Sequence, residues 1–278
     1  MTILVTGATG VVGRGVVGEL LRAGRRVRAL TRRPAAARLP GEVEVYEGDL
    51  EHPESLRAAL AGVERLYLFP VARTAAEVVA LAAESGVRRI VDLSGAGADD
   101  ETFEDGYRVV ERAVEASGLD WTHVRPGEFA ANWLDWAPSI RAERTVRRPH
   151  GGAVTQPTHE ADVAAVAAAA LLGDGHEGRT YTFAGPEALT VVEQVEAIGR
   201  AIGERVRFEE QDPVAAREQW IRDGYPAEVV DWLFGMWAAS ARDPAPVDEE
   251  WACVVPRLTG RPARTFSEWA AENAAAFS

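Results

Sequence analysis

The sequence predicts a doubly wound α/β fold on a parallel sheet, followed by a smaller, mainly helical C-terminal part. Three observations carry this. Short β-branched apolar runs alternate with amphipathic stretches through the first half of the chain. Glycines fall directly behind the helical runs, where a left-handed residue ends a helix cheaply. After Pro126 the alternation gives way to proline-broken chain and then to a long helical tract. Short apolar strands joined by helical crossovers return to one sheet with a single hand, so the sheet is parallel and covered on both faces.

Taken in order, residues 3–5 form the first strand and 13–23 a helix, with Val16, Val17, Leu20 and Leu21 at helical spacing. The run 27–30 completes a β-α-β unit. Further strands are expected at 43–46, 66–69, 90–93 and 121–124, with helices at 53–61, 74–85 and 107–117. Gly24, Gly62, Gly86 and Gly118 close the helices. The segment up to Pro157 reads as irregular, with prolines at 138, 149 and 157 and an arginine-rich run over 141–148. A helix over 160–172 and a strand over 181–183 return to the sheet. Residues 1–157 are therefore expected as one domain, with 158–185 rejoining its sheet, and 186–278 as a helical subdomain. That last third holds Trp220, Trp232, Trp237, Trp251 and Trp269, five of the eight tryptophans, read as packing with one or two free to line a ligand pocket.

Composition narrows the chemistry. With 278 residues, 47% apolar and 26% charged, the chain can bury a sizeable core. All thirty basic residues are arginine, which removes Schiff-base lysines and the phosphate-loop lysine of nucleotide triphosphatases. The net charge of −13 is uneven, about −2 over residues 1–150 and −11 beyond, and such a surface repels nucleic acid. The single Cys253 and five scattered histidines form no disulfide or metal pattern, so no metal is expected and a reducing cytoplasm fits. The opening residues lead straight into a glycine turn without signal-peptide character, and the apolar run 163–172 is too short to span a bilayer.

The run Thr6-Gly7-Ala8-Thr9-Gly10-Val11-Val12-Gly13 lies between a strand and a helix. Backbone donors at a helix N-terminus favour an anion. Gly7 permits the tight turn, Gly10 admits a diphosphate to the backbone, and Gly13 brings helix and sheet together. This predicts a dinucleotide site built on the turn from Thr6 to Gly13. An acid that would hold a ribose hydroxyl is missing about twenty residues on; the chain instead reads Thr31-Arg32-Arg33. A guanidinium there forks onto a 2′-phosphate, so NADP(H) is favoured over NAD(H), with Arg32 the main contact and Arg33 beside it.

Together with Gly48-Asp49-Leu50, Ser117-Gly118-Leu119-Asp120-Trp121-Thr122, Arg125-Pro126-Gly127-x-Phe129-x-x-Asn132, Asp162-Val163-Ala164 and the closing 258–266 run, this order resembles the NmrA-like branch of atypical short-chain dehydrogenases/reductases. The resemblance covers nearly the whole chain. It implies a Rossmann fold, with Asp49 and Leu50 at the adenine edge, Phe69-Pro70 by the ribose and diphosphate, and the turn at Pro126 beside the nicotinamide.

In that wider family a tyrosine usually donates a proton, with a lysine four residues later. Here Tyr107 is followed at that spacing by Glu111, which is expected to raise the phenol pKa. Tyr107 is either a proton donor or a packed residue of the helix. Ser94, at the carboxyl edge of its strand, either polarises a carbonyl or caps a loop. His123 is expected as a hydrogen-bonded core histidine. With no strong acid or nucleophile, the reading is an NADPH-dependent reductase of a small apolar or aromatic acceptor, a quinone, enone or iminium, in which the cofactor does the hard step. The aromatic C-terminal part would wall its pocket. The alternatives are a non-catalytic NAD(P)-binding redox sensor and a sugar-nucleotide epimerase or dehydratase.

Overall fold

A computed structural model describes residues 1–99 and 106–278. The strands are β1 (Thr2–Val5), β2 (Arg26–Thr31), β3 (Glu44–Glu47), β4 (Arg65–Leu68), β5 (Arg89–Leu93), β6 (Asp120–Pro126), β7 (Thr145–Arg148), β8 (Val154–Thr155), β9 (Arg179–Phe183), β10 (Leu189–Thr190) and β11 (Arg207–Glu210). The chain forms two compact units: residues 1–127, 160–183 and 253–262, and residues 128–159, 184–252 and 263–278.

The first unit is the doubly wound fold. Its seven strands run in the order β3-β2-β1-β4-β5-β6-β9, and every neighbouring pair is parallel. β5 is buried along its whole length, as a central strand covered on both faces must be. One face carries a core of Leu56, Leu60, Leu66, Val78, Val79 and Ile90. The Glu160–Leu172 helix packs against the Val11–Arg22 helix, and ten of its thirteen residues are buried. Its alanines permit this: a methyl on Gly15 would sit 2.6 Å from the Ala164 Cβ, so the two helices meet through small residues. Arg89, nearly buried at the start of β5, donates to the carbonyls of Ala170, at 3.1 Å, and Gly173. A cation therefore faces the negative end of that helix, where it is favoured by charge as well as by hydrogen bonding.

The second unit departs from expectation in two ways. Residues 128–157 belong to it, and they are ordered: a 3-10 helix Ala130–Trp136, a helix Ala137–Glu143, and β7 and β8. The apolar spacing within the segment explains this, because Trp133, Ile140 and Val146 pack with Val195, Ile198, Phe266 and Trp269 in one core. The tract beyond residue 186 is also less purely helical than its sequence suggests, since β10 pairs antiparallel with β8 and β11 parallel with β7. Both of its reciprocal caps, Thr190 with Glu193 and Thr265 with Glu268, start helices where the sequence places a Thr three residues before a Glu. In the first unit, the Val254–Thr259 helix rejoins the sheet side, and Arg261 pairs with Glu19 at 3.1 Å.

Trp269 is 1% exposed and stacks on Phe266 at 5.2 Å. Trp269→Ala is expected to lower the stability of the second unit by about 3–5 kcal/mol, the range for emptying a large aromatic site. Urea unfolding followed by tryptophan fluorescence measures it; a midpoint equal to the wild type would contradict this packing role.

Candidate functional site

The strand order reverses between β1 and β4, and a doubly wound sheet opens a crevice at the carboxyl ends of such strands. Thr6 fastens the two ends together. Its hydroxyl donates to the Tyr67 carbonyl at 3.0 Å and accepts the Phe69 N–H at 2.7 Å. Thr6 is fully buried, and its hydroxyl is engaged by these two scaffold bonds.

The turn that follows is defined by close approach. Gly7 has φ +59°, and a Cβ there would meet the Phe69 Cβ at 3.0 Å. A Cβ on Gly13 would fall 2.1 Å from the Gly7 carbonyl oxygen. Gly10 donates to that same oxygen at 2.9 Å and precedes the Val11–Arg22 helix without a side-chain cap. The first helical bond is from Arg14 N–H to the Gly10 carbonyl, which leaves the amides of Val11, Val12 and Gly13 ahead of the ladder. Val11 is 63% exposed at this end while Val12 is buried.

Arg14 is the residue that sequence reasoning passed over. Its guanidinium donates to the carbonyls of Thr9 at 3.0 Å, Arg38 at 2.9 Å and Ala37 at 2.7 Å. It thus binds the segment behind β2 to the glycine turn. A signal was present: a cation in the first turn of a helix opposes the helix dipole and calls for another partner. Arg32 and Arg33 follow β2 and are both exposed; the Arg33 N–H donates to the Thr31 hydroxyl at 3.2 Å. Asp49 is half-buried, its Oδ1 accepting the Glu51 N–H at 3.1 Å. Leu50 is turned into the core of the sheet, and only its carbonyl faces a polar partner, the Thr74 hydroxyl at 2.7 Å. Phe69 is exposed and Pro70 half-buried behind β4. Pro126 is buried at the end of β6, its carbonyl accepting the Ala96 N–H at 3.0 Å.

Behind this edge lies a buried charge network. Glu111 is wholly buried and accepts from Ser94 Oγ at 2.7 Å, Arg125 Nε at 2.7 Å, Arg125 Nη2 at 2.6 Å and Arg108 Nη1 at 2.9 Å. Arg125 also forks onto Asp99 at 2.6 and 3.1 Å. Burial by itself would raise the Glu111 carboxyl, but the hydrogen bonds from Arg125, Ser94 and Arg108 outweigh it and hold the pKa at about 2. His123 bonds Asp92 at 2.7 Å, both fully buried, and its ring stacks on Trp121 at 4.2 Å. Donor atoms of Asp92, Glu111 and His123 lie within 4.8 Å of one another, a spacing that suits a cation. Two guanidiniums already supply that positive charge at Glu111.

This network revises two expectations. The Ser94 proton is committed to Glu111, so Ser94 anchors the loop behind β5 and does not offer a donor to a substrate carbonyl. The Tyr107 hydroxyl is shifted upward, as expected, but by burial rather than by Glu111, whose charge is neutralised by the arginines. The Tyr107 ring lies against Gly95, where a Cβ would meet it at 2.7 Å.

The second unit holds a separate cluster. Arg148, 4% exposed, places its guanidinium 3.6 Å from the centre of the Trp237 ring, 5.0 Å from Trp133 and 6.0 Å from Trp136. Cation–π attraction supplies about 2 kcal/mol when desolvated, less than burying an ion costs. Burial accordingly lowers the Arg148 pKa to about 10 and raises that of Glu128 to about 7, each charge partly offsetting the shift of the other.

Comparison with known proteins places this geometry. A family model described as NAD(P)H-binding matches residues 7–174. The (4-alkanoyl-5-oxo-2,5-dihydrofuran-3-yl)methyl phosphate reductase of Streptomyces griseus is 44% identical over 99% of this chain and 99% of its own. The NAD(P)H azoreductase of Xenophilus azovorans is 35% identical with the same coverage of both chains, 99% each. Among solved structures, an NADPH-dependent quinone oxidoreductase from Escherichia coli matches with a TM-score of 0.80 at 26% identity, covering 97% of this chain and 98% of that one. The residues present fit such a cofactor: positions 7, 10 and 13 carry no side chain over the turn, and three backbone amides stand free of the helical ladder there.

Because the folded pKa of Glu111 is depressed, its contribution to stability is full above its ordinary value of 4.5 and is lost as pH falls through about 2. The stability difference between the wild type and Glu111→Gln, measured by chemical denaturation between pH 6 and about pH 2, is expected to shrink steadily on the acid side. A difference independent of pH would show that the carboxylate charge is not what the arginines hold.

Proposed function

The chain belongs to the NAD(P)H-binding family, in the NmrA-like branch of atypical short-chain dehydrogenases/reductases, and from that premise we propose an NADPH-dependent reductase of small electron-poor acceptors. The acceptor is a conjugated or imine-like compound such as a quinone, enone or iminium. The observation that carries this reading is the side-chain-free turn at Gly7, Gly10 and Gly13, held open beside two exposed arginines and no ribose-binding acid.

Within it, the amides of Val11, Val12 and Gly13 hold the diphosphate, with Thr6 and Thr9 shaping the turn. Arg32, with Arg33 beside it, holds the 2′-phosphate, and Arg14 fixes the loop on which they stand. Asp49 and the Leu50 backbone border the adenine; Phe69 and Pro70 border the ribose and diphosphate; Pro126 borders the nicotinamide. Bound NADPH supplies a hydride. The chain's own residues bind and orient: the Ser94 proton is committed to Glu111, and the raised pKa of the Tyr107 hydroxyl makes it a weaker acid. Acceptors that take a proton from solvent suit such a site. The named substrate of the Streptomyces griseus relative, a (4-alkanoyl-5-oxo-2,5-dihydrofuran-3-yl)methyl phosphate, is an electron-poor carbonyl compound that carries a phosphate, and the azo and quinone reductases act on electron-poor acceptors by their names.

Acceptor-dependent loss of the reduced-nicotinamide absorbance, with menadione and an azo dye as probes, tests the reading; no oxidation with any electron-poor acceptor, despite NADPH binding, would overturn it. Arg32→Ala is expected to weaken NADPH binding by about tenfold to a hundredfold, the worth of a charge-assisted contact, while NADH binding changes little. Equal losses in calorimetry would remove the phosphate contact. Tyr107→Phe is expected to hold kcat within about tenfold, and a larger fall with the fold intact would make the tyrosine a proton donor.

A further inference from the structure

The strongest unexplained feature is the buried polar cluster of the second unit. Among the described residues, Arg148 Nε and Nη2 have no hydrogen-bond partner and are shielded from solvent. The indole N–H groups of Trp133 and Trp237, the rings nearest that guanidinium, are also buried without an acceptor. Four nitrogen donors in one cluster are thus unanswered, whereas buried donors are nearly always paired in a folded protein. Glu128 does not answer them. Its Oε2 is itself unpartnered, and burial raises its pKa. The aromatic rings offset part of the guanidinium charge but supply no acceptor to its N–H groups. What is missing is an oxyanion: planar or tetrahedral, rich in lone pairs, and able to take two N–H bonds from one guanidinium fork.

We propose that Arg148, boxed by Trp133, Trp136 and Trp237 and flanked by Glu128, is a binding site for an oxyanion, a carboxylate or a phosphate. A neutral molecule leaves the guanidinium unpaired, and an anionic one completes it.

Three tryptophans surround the guanidinium, so the intact chain reports on the site through its own fluorescence. Titration with inorganic phosphate and, separately, with acetate at constant ionic strength set by chloride is expected to give a saturable change with at least one of the two. The anion that gives the tighter response identifies the ligand class. Arg148→Gln, checked for native circular dichroism, is expected to weaken that response by about tenfold or more. Arg148→Lys, which keeps the charge and loses the fork, is expected to fall in between. No saturable response to either anion in the wild type, or an equal response in Arg148→Gln, would overturn the site and leave its donors to buried water. The first of these readouts needs no variant to fold.

Discussion

The contact between Gly13 and the Gly7 carbonyl sets the geometry on which the first unit depends. No side chain fits between them, so the Val11–Arg22 helix begins almost on top of β1. Its unbonded amides then stand at the point where the strand order turns back. Thr6 makes this position rigid by joining the ends of β1 and β4 through one hydroxyl that donates and accepts. The exposed amide end of the helix is therefore a property of packing. A helix only slightly displaced would point the same dipole at solvent.

A chain without lysine manages every internal cation with guanidinium, and three buried examples show three solutions. Arg89 takes carbonyls at the end of a helix together with the Glu177 carboxylate. Arg125 takes two carboxylates in forked geometry, which is the arrangement in which a buried ion pair recovers its desolvation. Arg148 has aromatic faces and, among the described residues, no hydrogen-bond partner at Nε or Nη2. The first two are satisfied within the fold, and the contrast is what marks the third. The network around Arg125 also explains why Ser94 and Tyr107 carry no lysine-like partner: the space one turn along the helix from Tyr107 is filled by Glu111, turned inward to bind Arg125.

Much of the fold was legible because period and punctuation agree. The helix over 160–172 and all the strands of the large sheet fall within a few residues of their apolar runs, and Gly24, Gly62, Gly86 and Gly118 all have positive φ. The glycine turn and the arginines behind β2 were readable for the same reason, since each depends on residue type at a fixed place in a strand-turn-helix unit. Arg14 was readable in principle from its misfit with the helix dipole. The segment 128–157 was not, because its prolines mask a spacing of Trp133, Ile140 and Val146 that only makes sense beside the Val191–Ile202 helix and Trp269.

By itself the sequence determined local geometry: where strands and helices lie, which backbone must remain bare, and which charge stands behind β2. These are short-range consequences of sterics, periodicity and capping. Only the tertiary structure decided the partners of polar side chains. That Ser94 gives its proton to Glu111, that Leu50 turns into the core, and that Arg148 is boxed by tryptophans are outcomes of residues far apart in the chain meeting where water is excluded. Hydrogen bonding and desolvation act through space, and no spacing along a chain encodes them.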